Sequence, residues 1–103
     1  MPDVGYSIAQ DTQSLLSYSF EGPVVTIDPV STRNQGWENF LLAYNEFCSE
    51  RGGVPLLNQT YGVTRLQAEK AFKERLKKFA ECRKVYDPND RLLIDYFQDL
   101  LAD

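Results

Sequence analysis

The sequence of 103 residues carries 43% hydrophobic and 13% aromatic side chains with a net charge of −4, the composition of a globular chain that forms one domain or part of one. It contains no histidine, which excludes the Ser-His-Asp triad, histidine metal sites and the commonest general base. No apolar run approaches the ~18–20 residues of a membrane span, and Met1-Pro2-Asp3-Val4-Gly5 lacks the regions of a signal peptide, so a cytoplasmic protein is expected.

Residues 1–13 are polar and read as an irregular lead-in. Leu16, Tyr18 and Phe20 alternate with Ser17 and Ser19 at the period of a half-buried strand. Glu21-Gly22-Pro23 supplies turn chemistry, and Val24-Val25-Thr26-Ile27 reads as the returning strand of a β-hairpin. After a loop, Trp37, Phe40, Leu41, Tyr44, Phe47 and Cys48 recur at steps of three and four. They predict an amphipathic helix whose face, including Trp37 and Tyr44, belongs to the core. Gly52-Gly53 stops that helix, and Pro55 biases Val54-Pro55-Leu56-Leu57 toward extended backbone.

Residues 58–62 form a polar loop. Thr64 and Gln67 have capping-box spacing at the start of a long helix with Ala68, Phe72, Leu76, Phe79 and Tyr86 on its buried stripe. Glu69 with Lys73 and Glu74 with Lys78 stand at ion-pair spacing along it. Asp87-Pro88 breaks the pattern. A last short helix, capped by Asn89 or Asp90, buries Leu93, Tyr96, Phe97, Leu100 and Leu101. Cys48 and Cys82 are expected as free thiols.

Charge is unevenly spread. Residues 64–84 hold eight bases against three acids, residues 1–63 two against seven, and residues 85–103 one against five. Interspersed glutamates and an acidic whole argue for a solvated helix face and against nucleic-acid binding. The fold class expected is α+β: a hairpin packed by three helices. A lone hairpin is marginal and leaves both edges open, so this one is expected to complete a larger sheet lying outside the chain, or to pair with a self-associated copy.

Gly52-Gly53-Val54-Pro55, a polar loop, then Phe79, Arg83, Asp87-Pro88, Arg91-Leu92-Leu93, Tyr96-Phe97 and Leu100-Leu101 are similar in order and spacing to the C-terminal ends of FAD-linked oxidases. The relatives meant are of the vanillyl-alcohol-oxidase and aldonolactone-oxidase type. Val25-Thr26-Ile27-Asp28-Pro29-Val30-Ser31 before a Trp-led helix resembles the last part of their substrate domain. The resemblance implies that residues 14–103 are the C-terminal part of a substrate (cap) domain plus the closing helix of a flavoenzyme. It implies oxidation of an alcohol, sugar lactone or hydroxy-acid-like small molecule. FAD would be held through the parent enzyme, by an N-terminal FAD-binding portion missing from this chain, which alone is expected to be inactive.

In aldonolactone oxidases the stretch after Pro55 often reads His-Trp-Gly-Lys; here it reads Leu56-Leu57-Asn58-Gln59. The residue-by-residue implication is that Asn58, Gln59, Thr60 and Arg91 meet the cofactor, and that Pro55, Leu57 and Tyr61 line the substrate pocket. Arg83, Asp87 and Arg91 are expected to form an ion-pair cluster that fixes the last helix. The alternative class is a small helical protein-interaction module without catalysis, using the basic helix or the 37–48 face.

Overall fold

The computed structural model describes residues 3–32 and 34–101. In chain order they form β1 (Asp3–Val4), β2 (Ser7–Ile8), β3 (Val24–Val25), β4 (Asp28–Pro29), α1 (Trp37–Glu50), α2 (Arg65–Phe72), α3 (Glu74–Tyr86) and α4 (Asp95–Leu101). The class is α+β, as expected, with four helices in place of three.

The strands make one antiparallel ribbon. Asp3 pairs with Pro29 and Val4 with Asp28, and Ser7 with Val25 and Ile8 with Val24, all in a single unbroken register. Between the two ladders the Tyr6 N–H donates to the Thr26 hydroxyl at 3.2 Å, while the Thr26 N–H donates to the Tyr6 carbonyl at 2.9 Å. Gly5 is needed at this pinch, since a Cβ there would stand 2.9 Å from the Thr26 carbonyl oxygen.

This ribbon corrects two expectations. The lead-in supplies β1 and β2, and residues 16–20 are not the partner strand. Their alternation is inverted: Ser17 and Ser19 are the buried residues, joined through their hydroxyls at 3.3 Å, and the Ser17 hydroxyl also accepts the Ser19 N–H. Local side-chain bonding of this kind competes with a ladder and bends the chain into a turn. Arg75 holds the turn from outside, donating to the carbonyls of Leu15 at 2.7 Å and Ser17 at 3.0 Å.

α1 ends where Gly52 turns to φ 76° and the Gly52 and Gly53 N–H groups close onto Ser49 and Cys48 carbonyls. α2 begins with the expected capping box: the Gln67 N–H donates to the Thr64 hydroxyl at 3.1 Å, and the Thr64 N–H donates to Gln67 Oε1 at 3.0 Å. The long helix is broken at Lys73, whose φ of 55° is uncommon for a residue with a side chain. The break redirects the ion pairs. Lys73 reaches Glu21 at 2.8 Å, Glu69 pairs with Arg65 at 2.9 Å, and no Glu74–Lys78 pair forms among the described residues.

The core lies among α2, α3, α4 and the 54–63 segment: Leu57, Ala68, Phe72, Leu76 and Leu100, flanked by Leu16, Val54, Val63, Tyr96 and Phe97. Phe79 meets Phe97 with ring centroids 5.9 Å apart. Tyr86, placed on the same stripe by its spacing, is 88% exposed at the last residue of α3. α1 carries no fully buried residue, so Trp37 and Tyr44 are half-buried and not core. The radius of gyration, 14.6 Å, exceeds the ~13 Å of a compact chain this long, in keeping with faces left uncovered. Cys48 and Cys82 are free. Among the described residues no helix is long and apolar enough to cross a membrane.

Candidate functional site

The turn from Pro55 to Gly62 concentrates six of the seven residues singled out from sequence. It is built on one acceptor: the Leu56 carbonyl takes the Gln59 N–H and the Thr60 N–H, both at 3.0 Å, and the Thr60 hydroxyl at 2.9 Å. Its inner side is pinned at three points. Leu57 packs into the core, the Thr60 carbonyl accepts the Tyr96 hydroxyl of α4 at 3.0 Å, and the Tyr61 carbonyl accepts the Asn45 amide of α1 at 2.7 Å. Burial of Tyr96 at this junction pushes its phenol pKa above the usual value. Gly62, at φ 74°, brings the chain back against α1 so closely that a Cβ would meet Leu42 Cδ2 at 2.5 Å.

The outer side carries Asn58 and Gln59, both exposed; neither amide side chain is bonded to another described residue. They are two primary amides on a turn that packing has already ordered. Thr60 is different: its hydroxyl proton and its carbonyl are both committed within the fold. Pro55 is half-buried, and Leu57 is filling core at 9% exposure.

Tyr61 lines a shallow open concavity of about 620 Å³ with Trp37, Leu41, Asn34, Glu38 and Asn39. A second, of about 390 Å³, shares Asn34, Gly36 and Trp37 with the first and is also lined by Val30 and Phe40. The Trp37, Phe40 and Tyr44 rings stack along α1 at 5.4 and 5.8 Å. Spacing put Trp37 in the core. The signal that it borders open space is Gly36 immediately before it, at φ 84°, which begins the helix at Trp37 and leaves no earlier turn to cover the ring.

Arg91 stands apart from this turn, at the α3–α4 junction. Its N–H donates to Asp87 Oδ1 at 2.9 Å and the Leu92 N–H to Asp87 Oδ2 at 2.9 Å. Arg83 meets both Asp87 and Asp90. The cluster expected of Arg83, Asp87 and Arg91 therefore forms with Asp90 as its third charged side chain, and Arg91 joins it through the backbone alone. The Leu92 N–H has the largest effect on the Asp87 carboxyl; desolvation, next in size, opposes it, and the Arg91 N–H and the Arg83 guanidinium add to it, so the carboxyl is held below the usual carboxylate range.

Cradling a dinucleotide pyrophosphate takes several converging free N–H groups. The Gly52 and Gly53 N–H groups are spent on closing α1, so the Gly-Gly pair does not fit that role. The exposed amides of Asn58 and Gln59 do suit hydrogen bonding to the polar edge of a planar heterocycle or to a sugar hydroxyl.

The fold and turn define an α+β unit with an ordered amide-bearing turn, an uncovered aromatic helix face and no phosphate cradle in its Gly-Gly pair. The chain belongs to the D-arabinono-1,4-lactone oxidase family, whose model matches residues 4–100. That is the aldonolactone-oxidase side of the resemblance, and oxidases of this family are typically flavoproteins. Searches of curated proteins and of solved structures return no match.

Proposed function

We propose that these residues are the C-terminal segment of an FAD-dependent oxidoreductase that oxidises a CH–OH carbon of a sugar lactone or related hydroxy compound. The observation that carries the reading is the family match over residues 4–100. FAD would supply the redox chemistry, as cofactors of this kind do. The chain's own share is to present Asn58 and Gln59 to the flavin edge or to a substrate hydroxyl, and to wall the pocket with Tyr61. Residues 14–103 then belong to the substrate domain and its closing helix, and the ribbon joins a larger sheet. The uncovered α1 face, with Phe40 36% and Phe47 52% exposed, agrees with a chain that packs on further polypeptide. A free-standing interaction module would also use that face, but it gives no reason for the family match.

Two measurements test the reading. The purified 103-residue chain, mixed with FAD and desalted, is expected to retain no flavin absorbance near ~450 nm. Replacing the C-terminal segment of a D-arabinono-1,4-lactone oxidase with these residues is expected to leave a flavin-containing, lactone-oxidising enzyme. Stoichiometric flavin on the isolated chain, or a hybrid without bound flavin, overturns it.

A further inference from the structure

Resting on that reading, we infer that the concavity between α1 and the amide-bearing turn is a binding subsite for an uncharged, hydroxyl-rich ring, and that through Glu38 it rejects the anionic open-chain acid of the same sugar.

The lining supplies both halves of such a site. Trp37 and Leu41 from α1 and Tyr61 from the turn form an apolar, largely aromatic wall, and Asn34, Glu38 and Asn39 place polar groups beside it. The volume of about 620 Å³ falls within the ~300–1,000 Å³ of small-molecule sites. A sugar ring offers C–H faces that pack on aromatic rings and hydroxyls that pair with amides and carboxylates. Glu38 and Asn39 are exposed, and their side chains take no hydrogen bond from another described residue. Asn34 engages only its Oδ1, which accepts the Thr32 hydroxyl at 3.5 Å, so its amide N–H groups remain available.

The walls are set before any ligand arrives. The Trp37 ring is stacked on Phe40 at 5.4 Å. Across from it, the Asn45 amide holds the Tyr61 carbonyl at 2.7 Å, and Gly62 brings the turn within 2.5 Å, measured from a built Cβ, of Leu42 on α1. A site already ordered loses little freedom on binding.

Charge selects the ligand. Glu38 is the one charged side chain among the described lining residues. A carboxylate or phosphate entering beside it meets like charge with no lysine or arginine in that lining to offset it. A neutral ring donates its hydroxyls to the same carboxylate. The lone carboxylate also weighs against a covering stretch of polypeptide, because burying an unpaired charge is costly, whereas a hydroxylated solute in an open concavity leaves it wet.

Trp37 is the single tryptophan of the chain, so its fluorescence and its indole N–H resonance report on the site. The full chain is titrated with D-arabinono-1,4-lactone in weakly acidic buffer, where the lactone ring stays closed, and in parallel with D-arabinonate. The lactone is expected to shift both Trp37 signals with a Kd of about 1–10 mM, and the aldonate to bind about tenfold or more weakly. Glu38→Gln, which keeps an acceptor oxygen and removes the charge, is expected to bring the two within about threefold. Tyr61→Ala and Asn39→Ala should each weaken the lactone about fivefold or more, with unchanged Phe72 and Leu100 resonances showing that the core is intact. No Trp37 response up to about 50 mM lactone, equal binding of lactone and aldonate, or a preference that survives Glu38→Gln overturns the assignment. Binding that shifts Asn58 and Gln59 but not Trp37 overturns it equally. None of these readouts involves flavin, so a failure here is separable from a failure of the oxidase reading.

Discussion

The guanidinium carbon of Arg75 lies 4.3 Å from the ring centroid of Phe20, and the same side chain donates to the carbonyls of Leu15 and Ser17. One residue at the start of α3 therefore holds the turn that closes the ribbon. Charge-assisted hydrogen bonds contribute about 1.5–3 kcal/mol, and a desolvated cation over a ring adds up to about 2. Arg75→Ala is expected to destabilise the chain by about 2–3 kcal/mol, a fall in Tm of roughly 10–20 °C. Arg75→Lys should recover less than half, because an ammonium cannot fork to two carbonyls and stack at once. Urea denaturation measures both. A loss below about 0.5 kcal/mol in Arg75→Ala would show that the turn holds without its anchor.

Lys73 sits at the break between α2 and α3 with φ 55°. A side chain in that region costs about 1–3 kcal/mol, while the exposed Lys73–Glu21 pair contributes about 0–1. Lys73→Gly relieves the first and gives up the second, against greater chain entropy in the unfolded state. The expected outcome is a chain as stable as the original or up to about 1 kcal/mol more stable, where Gly in an uninterrupted helix would lower stability by about as much. Thermal unfolding of the two chains decides between them.

That break marks where periodicity stops being informative. The Thr64–Gln67 capping box, the α1 stop at Gly52-Gly53 and the Phe72–Leu76 core were legible because each follows from contacts within about one helical turn. The spacing across residue 73 remains helical on both sides, so pattern alone joins α2 to α3. The ribbon was misread for a related reason. Leu16, Tyr18 and Phe20 alternate as a strand should, but Ser17 and Ser19 bond to each other and Arg75, distant in sequence, caps the turn. The polar segment at Ser7 pairs instead, through backbone groups that composition does not reveal. At the site, the turn from Pro55 to Tyr61 was legible as a unit. Which of its side chains face out was not, because Leu57 and Thr60 are drawn inward by α2–α4 and by Tyr96.

The Asp87 carboxyl predicts an acid-sensitive joint. Its folded pKa is depressed, chiefly by the Leu92 N–H. Its contribution is therefore complete above the unfolded value of about 3.9 and is lost as pH falls through the folded one. Asp87→Asn keeps one acceptor oxygen but no charge. The stability gap between the original chain and Asp87→Asn is expected to be constant above about pH 5 and to shrink below pH 4. Faster exchange of the Leu92 and Arg91 amides should accompany it. A gap independent of pH down to acid unfolding would assign the joint to packing around Pro88 and Leu93, without the carboxylate.

The exposed amides and the inward groups of the 55–62 turn should separate cleanly under mutation. Asn58→Ala and Gln59→Ala remove exposed side chains with no hydrogen-bond partner among the described residues, so the isolated protein is expected to keep its stability within about 0.5 kcal/mol. Tyr96→Phe deletes the hydroxyl that holds the Thr60 carbonyl and should cost about 1 kcal/mol. In the hybrid lactone oxidase the order reverses. Asn58→Ala and Gln59→Ala are expected to weaken flavin retention or raise KM by about tenfold for each hydrogen bond lost, equivalent to about 1.4 kcal/mol. Tyr96→Phe acts only through thermal stability. Retained flavin and unchanged kinetics in both alanine variants would remove Asn58 and Gln59 from the site and leave Tyr61 and Trp37 as its candidates.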